Sequence, residues 1–199
     1  MNLSIKKIAV VAVPALLSLS SFSAISKTAS FTASVEVKNT FELNVVDQLS
    51  FGKIRASADT TGTTQATLVM PANPNASAVV ANTADAVIAI LEEGAPAKFT
   101  IEGVAAFTEL TITDPTETDI TAKDSAPPGA AAFKLGTYEY FVVEGADAGS
   151  LVVANKIQVD GDGKATFTLG ATLSTDGSTP TSDYIDGAYE GTFSVEVAY

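Results

Sequence analysis

The chain has 199 residues, 23 acidic against 11 basic, a formal charge of −12, and no histidine, cysteine or tryptophan. Lacking histidine and cysteine, it has no residue for the commonest general base, for the usual serine or cysteine nucleophile arrangements, or for the nitrogen and sulfur ligands of zinc. An acidic surface repels nucleic-acid phosphates and anionic lipid, and a chain without cysteine must hold its fold by pairing and burial alone.

Residues 1–26 have the pattern of a secretory signal peptide. Lys6 and Lys7 give the positive start, and Ile8 to Leu19 form an apolar run broken by Pro14 and Ser18. Small residues at Ser21 and Ser23, or at Ala24 and Ser26, suit cleavage near 23–26. The run is shorter than the roughly 20 residues of a membrane span; an uncleaved N-terminal anchor is the competing reading. Cleavage leaves about 175 residues, enough for one domain over 27–199. Exported chains of this kind reach the periplasm and then the cell surface or the medium.

The mature chain reads as all-β. Threonine, valine and alanine are abundant, and glycine and proline punctuate short runs. Phe31, Ala33, Val35 and Val37 alternate with Thr32, Ser34, Glu36 and Lys38, and the phase resumes at Phe41, Leu43 and Val45 after a bend near Asn39. Leu49–Ile54 is a short strand with a glycine at a turn or bulge. Residues 56–66 form a loop, Thr67–Met70 a strand stopped by Pro71, and Pro71–Asn75 a turn. Ala78–Leu91 is ambiguous, with a strand over Asp85–Leu91 favoured over a helical turn. Ala97–Glu102 and Phe107–Thr113 are strands joined at Gly103. Asp114–Gly129, with three prolines, is a long loop. Tyr138–Val143, Ser150–Val159 and Lys164–Leu173 are strands, the last two joined by a hairpin turn at Asp160–Gly163. Thr175–Gly187 is a polar connection to a final strand. There Tyr189, Gly191, Phe193, Val195, Val197 and Tyr199 alternate with Glu190, Thr192, Ser194, Glu196 and Ala198. The expectation is a β-sandwich of about nine or ten short strands.

No catalytic residue stands out, and no Gly-x-Ser-x-Gly elbow or phosphate-binding glycine loop occurs. Scattered carboxylates leave a glycosidase-like pair formally open, but they read as solvated. Asp160 and Asp162 offer hard oxygen ligands at alternate positions for Ca²⁺, without the later bidentate glutamate of an EF-hand loop. The turn reading is preferred there. No cofactor is expected.

Several segments resemble a family of secreted bacterial β-sandwich proteins classified as a domain of unknown function and similar to fimbrial subunits. The segments are Leu49-Ser-Phe-Gly52, Ala97-Lys-Phe-Thr-Ile-Glu-Gly103, Leu169-Gly-Ala-Thr-Leu173 and the stretch from Gly187 to Tyr199. The resemblance implies an immunoglobulin-like, pilin-like sandwich and a non-enzymatic structural subunit of a surface fimbria or filament, joined by β-strand complementation. Phe31–Val37 resembles the N-terminal donor strand of fimbrial major subunits, and the ending resembles their last strand. On that likeness Phe31, Ala33, Val35 and Val37 are donor-strand candidates. Tyr189, Phe193, Val195, Val197 and Tyr199 are candidates on the accepting C-terminal strand. The implied partners are copies of the chain or related subunits, and a periplasmic chaperone. Unlike the chaperone–usher subunits, the chain has no cysteine pair, and little chain precedes Phe31 in the mature form. Phe31–Val37 is therefore either a spare strand or the domain's own first strand. The alternative is a self-contained secreted or periplasmic binding module for a glycan or Ca²⁺, built on loops 56–66, 114–129 and 175–187.

Overall fold

The computed structural model describes residues 27–36 and 40–199. The signal-peptide reading of residues 1–26 and the donor candidate Val37 lie outside the described residues. The chain divides into two units, Met1–Val37 and Lys38–Tyr199. In the first, residues 27–36 form no strand and every one is exposed. Alternation gives this segment two faces, but a strand without a hydrogen-bonded neighbour has little stability of its own. Of the strand expected over Phe31–Val37, the described residues 31–36 are thus not in a strand.

The second unit is all-β. Its strands are β1 (Glu42–Asp47), β2 (Lys53–Ser57), β3 (Thr67–Met70), β4 (Val79–Ala81), β5 (Val87–Glu92), β6 (Ala97–Glu102) and β7 (Glu109–Thr113). They continue with β8 (Thr118–Ala122), β9 (Phe133–Glu144), β10 (Ser150–Leu151), β11 (Lys156–Gln158), β12 (Ala165–Ser174), β13 (Tyr189–Glu190) and β14 (Glu196–Ala198). Among the described residues no helix is long and apolar enough to cross a membrane.

The large sheet runs β1-β6-β12-β9-β8-β13, with β10 on β9, β3 on β12 and β4 outside β3. Two smaller sheets, β11-β7-β14 and β2-β5, accompany it. All strand pairs are antiparallel. Strand β12 is the spine. Its residues 166–174 pair with β9 along one edge. Its other edge is shared end to end, 165–169 with β6 and 171–174 with β3.

Side chains from both kinds of sheet meet in two cores. Phe99, Ile101, Leu110, Ile112, Val142, Ile157, Phe167 and Leu169 form the larger, between the large sheet and β11-β7-β14. Leu68, Ile88, Phe133 and Leu173 form the smaller, under β2-β5. Phe51 and Ile120 touch both. The outer face of β12 is also buried, because the chain after β3 lies across it and the Thr168 hydroxyl donates to the Ala72 carbonyl at 2.6 Å.

The expected all-β sandwich is the fold, divided more finely than periodicity implies. Strand β8 lies inside the expected loop 114–129, because the three prolines flank Thr118–Ala122 rather than interrupt it. The ambiguous stretch 78–91 holds β4 and β5, with no helical turn between them. The strand expected over Ser150–Val159 is two, split at Ala154 and Asn155, both with positive φ (52° and 58°). There the chain leaves β9 in the large sheet for β7 in the smaller one. The Asp160–Gly163 turn is closed by Gly163 N–H to Asp160 C=O at 3.2 Å. It joins β11 to β12, which pair with different partners, so it connects two sheets and is not a hairpin.

Gly170 sits where β6 gives way to β3 on the edge of β12. A Cβ there would come within 2.3 Å of the Ala72 nitrogen and the Met70 oxygen, both backbone atoms. Gly170→Ala therefore forces the strand apart at its centre and is expected to cost about 1–3 kcal/mol in urea unfolding. Wild-type stability for this variant contradicts the close approach.

Candidate functional site

Between β1 and β2 the chain changes sheets. The crossing is pinched: Ser50 and Ala95 exchange two backbone hydrogen bonds, at 3.0 and 2.8 Å. A Cβ on Gly52 would lie 2.1 Å from the Glu92 oxygen, and one on Gly94 2.0 Å from the Ser50 oxygen. Only glycines let the two backbones pass this closely, and Gly52 also holds φ at +74°. Past the pinch β2 pairs with β5 along one edge, while its other edge carries no strand among the described residues.

Beside that open edge lies a groove of about 890 Å³. Its apolar lining includes Ile120, Phe133, Leu135, Leu173 and Phe193. Residues 49–56 line one side, and residues 184–191 line it from the C-terminal segment. Aromatic packing fixes that segment. Phe133 stacks on Tyr184 with centroids 4.1 Å apart and meets Tyr189 edge-on at 5.2 Å. The Tyr184 hydroxyl accepts from Asp176 N–H at 2.8 Å, and burial raises its pKa. The Tyr189 hydroxyl accepts from Ile185 N–H at 3.0 Å. Asp183 clamps β2 to this segment, accepting from the Ser57 hydroxyl and Ala58 N–H, both at 2.8 Å. Its burial alone would raise the carboxyl pKa, but the bonds from Ala58, Tyr184 and Ser57 bring it below the ordinary value.

The expected final strand is broken. Residues 189–190 pair with β8 and residues 196–198 with β7, while 191–195 carry no ladder. The segment changes sheets here, and Gly191 lies so close to β8 that a Cβ would meet Ile120 Cδ1 at 2.3 Å. The face was nonetheless legible. Phe193, Val195 and Val197 are half-buried against the larger core, while Thr192, Ser194 and Glu196 are exposed.

The assembly candidates therefore fall in three places. Tyr189 and Phe193 line the groove. Val195 and Val197 cover the larger core, and Tyr199 is exposed with its ring edge-on to Phe41 at 5.5 Å. On the other segment Phe31 and Val35 are 91 % and 87 % exposed, and Ala33 is exposed as well. Periodicity missed Lys53, Arg55, Ile120, Phe133 and Tyr184 as groove residues. The charged–apolar alternation of Lys53-Ile-Arg-Ala-Ser57 was the available signal for β2.

A second hollow, of about 540 Å³, is polar and includes Glu117, Asp119, Lys134 and Asp176. Lys134 lies 3.7 Å from Glu117 and 3.8 Å from Asp119. The Asp176 carboxyl, which burial alone would raise, is held below its usual value by bonds from Ala132 N–H and from Ser178. Thr61 N–H, with help from Thr64, holds the Asp59 carboxyl down at about 2, which orders the loop after β2. Asp160 Oδ1 accepts from Asp162 N–H and Lys164 N–H, both at 2.9 Å, so the carboxylate offered for Ca²⁺ closes its own turn. Among the described residues no group of three acidic side chains is placed to hold a metal ion.

A family model described as Domain of unknown function (DUF4402) matches residues 41–199. No curated protein matches the chain.

Val195 tests which face of the final segment is buried. Val195→Asp places a carboxylate against the larger core, on a half-buried face, and is expected to cost about 2 kcal/mol in urea unfolding. An unchanged midpoint contradicts the packing of this face.

Proposed function

The chain belongs to the DUF4402 family, a domain of unknown function, and from that premise we propose that this member is a non-enzymatic structural subunit of a bacterial surface filament. In this reading it is exported by its N-terminal signal, and each copy donates residues 31–37 as a β-strand to the next. The fimbrial resemblance of the sequence supports the same reading.

One observation carries the proposal: a groove lined in part by apolar side chains runs beside a strand edge that is unpaired among the described residues, in a chain that also holds an alternating, exposed segment at 31–36 without a strand. Open edges and exposed apolar surface are liabilities that folds ordinarily cover. An added strand covers both at once, because its backbone pairs with the edge and its alternate side chains enter the groove. Seven residues at roughly 3.3 Å each span about 23 Å. Residues 191–195, which lack a ladder, would gain a neighbour on the same insertion. The chemistry agrees, since a chain without histidine or cysteine is poorly equipped for catalysis and loses nothing as a building block.

The second reading is a self-contained binding module, which the polar hollow near Lys134 favours. It predicts a monomer that binds a glycan.

Phe31→Asp combined with Val35→Asp distinguishes the two. Both side chains are exposed, so the folded unit should melt at the wild-type temperature. Filaments seen by electron microscopy for the wild type are expected to disappear. Normal filaments from the double variant overturn strand donation, and a monomeric wild type that captures a glycan on an array supports the module.

A further inference from the structure

Resting on strand donation, we propose that Arg55 of one copy pairs with Glu36 of the next, and that this pair sets the register of the inserted strand.

Arg55 is the one arginine of the chain. It lies on β2 and lines the groove. On this strand Ile54 and Ala56 pack toward the smaller core, which turns Lys53, Arg55 and Ser57 to the opposite face. Lys53 has its counter-charge within the sheet, for its partner across the ladder is Glu92 and their side chains meet at 2.6 Å. Arg55 stands opposite Ala89. Six ion pairs occur among the described residues, and Arg55 belongs to none of them. Among the described residues the lateral place left open beside it in the sheet is the free edge of β2.

A strand laid along that edge with Phe31, Ala33 and Val35 turned inward presents Thr32, Ser34 and Glu36 on the face of Arg55. Glu36 is the only charged residue between Phe31 and Val37. Alternation decides which face of the donor turns inward, but it does not decide register. A slip of two residues keeps every apolar side chain inward, and Ala33, Val35 and Val37 differ little in shape. The donor carries one charge, and of the two cations on this face of the edge Lys53 is already engaged by Glu92. The register that sets Glu36 beside Arg55 is therefore favoured over a slip of two residues. The pair also offsets repulsion between copies whose formal charge of −12 becomes −14 when Lys6 and Lys7 leave with the signal segment. A guanidinium suits the role, since it takes a carboxylate through two parallel hydrogen bonds.

The absence of cysteine permits a direct test. The full chain carrying Glu36→Cys and Arg55→Cys, assembled and then oxidised, is expected to run as a ladder of dimers, trimers and larger species on a non-reducing gel. Reductant should collapse the ladder, and Ser34→Cys with Arg55→Cys should cross-link far less. A fast-migrating monomer instead of a ladder means that the pair forms within one copy, and it overturns the proposal. Filaments that depend on Phe31 and Val35 but give no ladder overturn the register while strand donation stands. Filaments indifferent to Phe31 and Val35 overturn strand donation itself. As an independent arm, Glu36→Arg and Arg55→Glu should each slow assembly about two- to five-fold at low salt, and their combination should restore it. Failure of the combination to restore the rate counts against the pair.

Discussion

The fold depends on β12 being paired along both edges and buried on both faces. One strand meets three others, with β9 along nearly its whole length and β6 and β3 dividing the opposite edge. Both cores take side chains from it, Phe167 and Leu169 in the larger and Leu173 in the smaller. A strand in this position tolerates no polar group without a partner. Thr166 and Thr168 meet that demand by donating to Glu144 and to the Ala72 carbonyl. Where three strands converge there is no room for a side chain, which is why Gly170 is found there. The smaller sheets pack where β12 and its neighbours offer an apolar face.

Alternation in the sequence spoke clearly wherever a strand has one buried face and a nearby partner. Thr67–Met70 and Ala97–Glu102 have the bounds that their alternation gives. The inward face of 193–197 was equally clear. What alternation could not convey was pairing. Residues 31–36 alternate as regularly as any strand, yet they form none, because hydrogen bonding to a neighbour is a property of two segments and not of one. The final strand breaks for the same reason, as its two ends find partners in different sheets and its middle finds none. Strand β8 went unread because proline density marked its surroundings as loop, and its pairing with β9 lies outside any local pattern. The groove was hidden for a further reason: Ile120, Phe133, Leu173 and Tyr184 are far apart in the chain and converge only through topology.

The smaller sheets are also where the molecule has latitude. Two short sheets, β2-β5 and β11-β7-β14, do the work that a single continuous layer would do in a closed sandwich. The pinch at Gly52 and Gly94 and the Asp183 clamp hold β2 in place on either side of the stretch that lines the groove. An edge held at two points is a rigid template. In the strand-donation reading such rigidity lowers the ordering cost of assembly, which then falls on the incoming segment.

The contact between Phe41 and Tyr199 bears on how the molecule is made. It joins a residue just ahead of the first strand to one just after the last, and β14 reaches back to β7 across more than half of the compact unit. Contacts so distant along the chain close slowly, because the intervening loop must be ordered first. A chain emerging residue by residue would hold β1 through β7 with the larger core still short of its last cover. Folding to completion must therefore wait until residues 193–197 are available to cover the larger core, and a chain released short of them keeps that core open.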